Sequence, residues 1–494
     1  MATVAIDAGT SMIKAVVFDD AGTEVAVARE PTTVRRPHPG WAEQDMDSVW
    51  TAVASAVRAV LSTVDVEVAF VAITAQGDGC WLVDGDGEPT GPAILWSDGR
   101  AAGVVESWRR AGVTEKAFRI NGSLGFSGLP HAILTWLAEH DPARLEASAT
   151  ALYCGGWLFS RCTGLLGVDL SDASVPFLDP RTRAYSTELL SLYDLDWARR
   201  LLPEVRRPAA RSAPLTERAA AQLGLPAGLP VVLAPYDVAS TAIGVGTTDP
   251  GQACTILGTT LCTEVIRDRV DTAGEPGGLT VALDTGDDVL RAFPTLAGTE
   301  VLDWASTMLG LAHARDLATL AEQAEPGAGG LVFLPYLSPA GERAPFLNPH
   351  ARGTFWGMSL EHGRAEVARA VFEGLTMVIR DCLAATGADA TELRVCGGGA
   401  GSAMWCQLIA DVTGVPVVTS ADTEVGAKGA MLTGLVATGA APSVSSAARD
   451  YVRPTSSREP DRDRGELYAR RFELFRELRE ISTPGWARQA ERRA

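Results

Sequence analysis

No run in this 494-residue chain approaches the roughly 20 consecutive apolar residues that a membrane-spanning helix needs, so no membrane partner is expected. A basic surplus is missing as well. Against 43 Lys and Arg stand 61 Asp and Glu, a formal net charge of −18, and such a surface offers a nucleic-acid backbone little to bind. None of the eight cysteines belongs to a C-x-x-C pair and most lie in apolar stretches, which fits buried thiols in a reducing compartment. No charged segment leading into an apolar core precedes the first strand, so a cytoplasmic location is expected. Two familiar nucleotide loops are also absent. Lys428, in GAKGA, lacks the following Ser or Thr of a Walker loop, and Ser402 stands where G-x-G-x-x-G needs a third glycine after Gly397 and Gly399. With 46% hydrophobic and 21% charged residues the chain is an ordinary globular protein, too long for one core, and its partners are expected to be small molecules or proteins.

Strand-like runs alternate with helical stretches throughout, the pattern of an α/β protein. The first run, Val4-Ala5-Ile6, enters Asp7-Ala8-Gly9-Thr10-Ser11 and returns as a strand from Ile13 to Phe18. One reading is a plain hairpin with Gly9 at positive φ. The other is an anion cradle, in which backbone N–H groups and the hydroxyls of Thr10 and Ser11 converge on phosphate and Asp7 reaches a Mg²⁺ through water. Residues 253–266 repeat the design, a strand, the turn Gly258-Thr259-Thr260 and a returning strand. The repeat predicts a duplicated α/β domain joined near residue 245, with domains at 1–244 and 245–494. A third piece, LRVCGGGAGS at 393–402, ends a strand in glycines before a helical stretch whose N-terminus favours anions.

Three stretches offer an acceptor site at strand ends. Gln76, Gly77 and Asp78 follow the strand 68–74; Trp96, Asp98 and Arg100 lie in ILWSDGRA; Asp237 follows the strand 231–234. Each has a plainer reading: Asp78 as a turn former, Asp98 as the partner of Arg100, Trp96 as core, Asp237 as a helix N-cap.

Taken in order, D-x-G-T-S at 7–11, ILWSDGRA at 94–101, the aspartate before Gly-Thr-Thr, GERAPFLNPHARGTFWGMSL at 341–360 and GGGAGSAMWCQLIADVTGVPV at 397–417 resemble the FGGY carbohydrate kinases, over nearly the whole chain. That resemblance implies duplicated ribonuclease-H-like domains of the actin-like ATPase fold, with MgATP and a small polyol or sugar bound in the cleft between them. It implies an N-terminal domain for the acceptor and base and a C-terminal domain for the nucleotide. Asp237 matches the family's catalytic base, Gln76 to Gly79 its sugar-reading loop. Thr10, Ser11 and Lys14 would face the ATP phosphates with Asp7 near the metal; Gly258, Thr259, Gly298, Gly398, Gly399 and Ser402 would hold phosphate, ribose and adenine. Met12 departs from the family's usual Ser or Gly, and Cys262 stands where glycerol-using members place an aromatic wall.

The acceptor loop Gln76-Gly77-Asp78-Gly79, followed closely by Trp81-Leu82, resembles that of erythritol kinases, whereas xylulose-using members carry Gln-Met-His-Gly. Asp78 can accept from two neighbouring hydroxyls and Gly77 is expected to leave space beside it, so a tetritol is the first expectation and a pentitol or pentulose the second. A non-enzymatic actin-like protein or pseudokinase sugar sensor is the rival class, which would have no need of an aspartate base. Residues 464–482 carry Leu467, Phe472, Leu474, Leu478 and Ile481 at helical spacing and predict a helix packed on the body, with a subunit contact in a homodimer as the second reading.

Overall fold

The apolar run Ala2–Ala8 forms an inner strand because both of its faces are covered. Val4 and Ile6 pack with Trp50, Val53 and Val57 of the helix Met46–Leu61. Ala5 points the other way, toward Ala427, Ala430 and Met431 of the helix Val425–Ala437. The period of two in a strand produces this division. In sheet order the strands are Ser212–Pro214, Pro230–Leu233, Val68–Ala75, Ala2–Ala8, Met12–Phe18 and Glu24–Pro31. The first three strands in chain order form an antiparallel meander; Val68–Ala75 runs parallel to Ala2–Ala8, and Pro230–Leu233 parallel to Val68–Ala75.

The computed structural model describes residues 1–492, which fold as two compact units. The first comprises Met1–Thr248, Arg267–Leu290 and Asp422–Arg453; the second Asp249–Ile266, Arg291–Ala421 and Pro454 onward. Six strands of a second, seven-stranded sheet repeat the order of the first, read here from the opposite edge: Val289–Pro294, Leu261–Arg267, Gln252–Leu257, Glu392–Cys396, Val417–Ser420, Pro454–Arg458. Again an antiparallel pair opens it, and the next two strands are parallel to the opening one. The α/β duplication expected from the two small hydroxyl-bearing turns is therefore present in the strand order itself, as is the ribonuclease-H-like repeat that the family resemblance implies.

Within the first unit the helices Asp237–Gly244 and Val425–Ala437 cross at backbone contact. A Cβ on Gly429 would lie 1.8 Å from the Ser240 carbonyl oxygen, and one on Gly244 would lie 1.8 Å from that of Val425. In the second unit the terminal helix spans Arg462–Glu491, longer than the 464–482 stretch. Its inward stripe is Tyr468, Phe472, Phe475, Ser482 and Trp486, while Leu474 and Ile481 are exposed, so two of the five expected core residues face outward. Aromatic rings at 468, 472, 475 and 486 set the helix rotation because they bury more area than the aliphatic positions. No helix among the described residues is long and apolar enough to cross a membrane.

Candidate functional site

The turn after Ala8 is tight: the Gly9 N–H donates to the Met12 carbonyl at 3.1 Å. Gly9 is not at positive φ, contrary to the hairpin reading; its hydrogen is needed because a Cβ would sit 3.0 Å from the Met12 oxygen. Thr10 turns its hydroxyl toward the neighbouring strand end, donating to Gln76 Oε1 at 2.6 Å and accepting from Trp96 Nε1 at 2.9 Å. Gln76 Nε2 donates to Gln44 Oε1 at 2.8 Å, and Gln44 Nε2 returns to the Thr10 carbonyl at 2.8 Å. Three candidates from separate stretches, Thr10, Gln76 and Trp96, are thereby one network, and buried Gln44 is a fourth member that nothing in its sequence neighbourhood marked. Ser11 is exposed at the turn.

Lys14 Nζ lies 3.6 Å from Asp7 Oδ2 and 2.8 Å from Glu424 Oε2, and Arg29 also pairs with Glu424. Burial pushes the Asp7 carboxyl up, with Lys14 opposing it. Glu424 precedes the helix Val425–Ala437, and its distance in sequence hid it. Gly426 leaves the face of Asp7 open, since a Cβ there would stand 3.2 Å from Oδ2. Among the described residues no group of three or more His, Cys, Asp and Glu side chains could hold a metal. One open carboxylate fits a hard ion that keeps its waters and phosphate oxygens, which is the habit of Mg²⁺.

Asp237 is the first residue of its helix, and Tyr236 occupies the cap position, so the N-cap reading does not hold. Its Oδ1 accepts the Val238 N–H at 2.8 Å. The carboxyl is pushed up to about 7, by burial first and by the charge of Asp7 next, with Asp78 adding to it; the Val238 and Gly77 N–H groups pull the other way. Gly77 is required by packing: a Cβ there would lie 2.1 Å from Tyr236 Cδ2, so the space beside it is filled by the Tyr236 ring and is not open as expected. Asp78 sits at φ 57°, a left-handed conformation that aspartate tolerates better than most residues. Asp98 pairs with Arg100 at 2.9 Å and accepts the Ala42 N–H at 2.6 Å, and Arg100 lies 3.8 Å over the Trp41 ring, a structural knot.

A second carboxyl, besides Glu424, has no clear signal in the sequence. Asp172 is buried, its Oδ1 has no partner, and its Oδ2 and the side chains of Ala75 and Leu233 lie around the position a Gly155 Cβ would take, at 3.7, 3.7 and 3.8 Å. Burial, with the charges of Asp169, Asp78 and Asp237, holds it well above the carboxylate range. Its only signal was the short string Ser-Asp-Ala-Ser, which resembles a loop as much as a site.

In the second unit Thr259 is exposed on the turn Gly258–Thr260, and a Cβ on Gly298 would collide with that turn, 2.5 Å from the Thr259 carbonyl oxygen. Gly397, at φ 86°, and Gly399 press on Leu257, the last residue of the strand before the turn, while nothing lies within 4 Å of a Cβ on Gly398. Gly258, Thr259, Gly298, Gly398 and Gly399 thus gather at one sheet end. Ser402 caps the helix Ala403–Thr413, accepting the Trp405 N–H at 3.3 Å. The segment at 341–360 supports this corner: Glu342 Oε1 accepts the Leu296 N–H at 2.8 Å and Arg343 Nε donates to the Pro294 carbonyl at 2.9 Å, fixing the loop that carries Gly298. Cys262 is buried with its Sγ 3.3 Å from Glu264 Oε1.

Residues 2–244 match the N-terminal domain of the FGGY family of carbohydrate kinases, and residues 253–438 its C-terminal domain. An erythritol kinase of Brucella abortus is 33% identical over 99% of this chain and 97% of its own length. A xylulose kinase of Escherichia coli is 33% identical over 83% of this chain and 84% of its own. The crystal structure of a xylulose kinase from Rhodospirillum rubrum superposes with a TM-score of 0.89 at 27% identity, covering 99% of this chain and 100% of that one.

Proposed function

Since the chain belongs to the FGGY family of carbohydrate kinases, we propose that it transfers the γ-phosphoryl group of ATP to a terminal hydroxyl of a small polyol, a four-carbon polyol of the erythritol type first. One observation carries the reading: an aspartate titrating near 7, at the first residue of a helix, with Asp78 close enough to raise it. A base near neutrality can take a hydroxyl proton and release it to water afterwards. In the step proposed, the acceptor oxygen bonds to the γ-phosphorus, its proton passes to Asp237, and the bond to the bridging oxygen of ADP breaks. Mg²⁺ would neutralise charge on the transferring phosphoryl group, held by Asp7 through water. The Gly9–Ser11 and Gly258–Thr260 turns would offer N–H and hydroxyl donors to phosphate oxygens, with Gly298, Gly398, Gly399 and Ser402 serving the rest of the nucleotide. Lys14, tied to Asp7 and Glu424, would tune the charge of the metal-side carboxylate as well as face phosphate.

Asp78 supports a polyol, because a carboxylate accepts from two hydroxyls and faces a ketose carbonyl unfavourably. Gln76, with both ends of its amide held by Thr10 and Gln44, would shape the loop rather than reorient to each substrate. Asp172 supports a second reading, a pentulose or pentitol: an uncharged acid can donate to a carbonyl, and a relative is named a xylulose kinase. The deciding assay measures ADP release with MgATP and erythritol, the threitols, the pentitols, glycerol or D-xylulose, in wild type and Asp78→Ala. A tetritol should lead by about a hundredfold in kcat/KM, since a site built for hydroxyls loses heavily when its polar groups are left unpaired. D-xylulose as best substrate, or an Asp78→Ala ranking identical to wild type, overturns the polyol assignment.

A further inference from the structure

The dipeptide before Asp237 is tied down more completely than packing requires. The Pro235 carbonyl accepts two hydroxyls, Thr74 Oγ1 at 2.7 Å and Ser240 Oγ at 2.6 Å. The Tyr236 N–H donates to Ser171 Oγ at 3.0 Å, and Ser171 in turn donates to Asp169 Oδ2 at 2.6 Å. Asp169 also accepts the Ser171 N–H at 2.7 Å, and Arg211, which pairs with Asp284, stands 3.8 Å from it. Thr74, Asp169, Ser171 and Ser240 are all buried, and they come from three different elements or loops. The Tyr236 ring is meanwhile seated on Gly77. Every backbone polar group of Pro235 and Tyr236 is accounted for, because the Tyr236 carbonyl starts the helix by accepting the Ser240 N–H at 2.9 Å.

We infer that Thr74 and Ser171 are positioning residues for Asp237: two buried hydroxyls lock Pro235-Tyr236 so that the following carboxylate keeps one direction and keeps its own N–H donors. This rests on the reading of Asp237 as the base. The donors are the Val238 and Gly77 N–H groups, which favour the charged form, whereas burial and the carboxyls of Asp7 and Asp78 disfavour it. Asp172 and the Cys154 thiol are also within electrostatic reach of Asp237. A dipeptide freed to rotate would loosen those two N–H bonds, and the Asp237 carboxyl would rise further. A merely structural hydroxyl would change the amount of folded protein and leave the titration where it was.

Thr74→Val removes a hydroxyl at constant shape, Ser171→Ala removes the acceptor of a buried N–H, and Thr74→Ser keeps the hydroxyl. With MgATP and the best polyol, Ser171→Ala should lower kcat about tenfold and Thr74→Val about threefold, with KM for ATP within twofold of wild type. In both, the acid limb of kcat/KM for the acceptor should move to higher pH; Thr74→Ser should keep the wild-type limb. Asp237→Asn is run alongside, and if it keeps both turnover and limb, the base assignment falls and the positioning role falls with it. Where Asp237→Asn abolishes the limb but Thr74→Val leaves kcat and limb unchanged, the positioning role is overturned, and so it is if Thr74→Ser loses as much as Thr74→Val. Should Ser171→Ala fail to fold, the Thr74 pair decides.

Discussion

An aspartate held at about 7 is half charged at neutral pH, and that fact separates Asp237 from the other carboxyls around it. Asp172 stays an uncharged acid, Asp98 is consumed by Arg100, and Asp7 is balanced by Lys14. For a base that must be deprotonated, kcat/KM for the acceptor should climb as pH rises through about 7 and level off above it. Asp237→Asn should lower turnover by roughly two to four orders of magnitude and erase that limb, leaving nucleotide affinity nearly intact. More than a tenth of wild-type turnover in the variant would rule the base out.

The two turns look alike as elements and differ in what their threonines touch. Thr10 holds Gln76 and Trp96, whereas Thr259 is exposed beside Gly298. Thr259→Ala should therefore weaken ATP binding alone, by about 1 kcal/mol, since backbone donors remain. Thr10→Ala should weaken ATP binding modestly and also raise the acceptor KM, because Gln76 and Trp96 lose a partly buried hydroxyl partner. Calorimetry with ATP and acceptor kinetics separate the two, and equal acceptor KM in wild type and Thr10→Ala would show that the network does not shape the acceptor loop. Each turn was legible in the sequence because a strand, a small polar turn and a strand occupy consecutive residues. Asp237 was legible for the same reason, standing just beyond an apolar run broken by Pro235. Gln44, Glu424 and Asp172 were not, since each reaches its partners across tens to hundreds of residues and carries no local pattern. Gly77 was read as room for a ligand, and only the Tyr236 ring shows otherwise, because a glycine's reason lies in what approaches it.

At the scale of the whole molecule the duplication was foreseeable from the repeated turn, but the return of Asp422–Arg453 to the first unit was not, as the helix Val425–Ala437 is small and apolar on most faces. The same scale governs the response to pH. Asp237 and Glu342 are both pushed up to about 7, chiefly by burial, and Asp169, Asp172 and Asp381 are raised as well. A carboxyl whose folded pKa lies above its unfolded value binds a proton in the native state that the unfolded chain has already lost. Stability contributed this way is fully present below the unfolded pKa near 4 and declines as pH rises through the folded values, by about 1.4 kcal/mol per group for every pH unit that separates its folded pKa from its unfolded one. The net charge of −18 acts in the same direction, since protonation relieves self-repulsion of the compact state. The protein should melt higher at pH 5.5 than at pH 8, and Asp172→Asn, which keeps the shape of an acid already uncharged, should narrow that difference by raising the pH 8 midpoint. Depressed carboxylates such as Glu106 act only below the ordinary carboxylate range, outside this interval; buried His131, held down at about 3 by desolvation, opposes the trend only over the short span below the ordinary imidazole pKa near 6.5. Midpoints that stay level from pH 5.5 to pH 8, in wild type and variant alike, would mean that the buried carboxyls are charged in the folded protein and that cations beside them, Arg211 and Arg479 foremost, outweigh their burial.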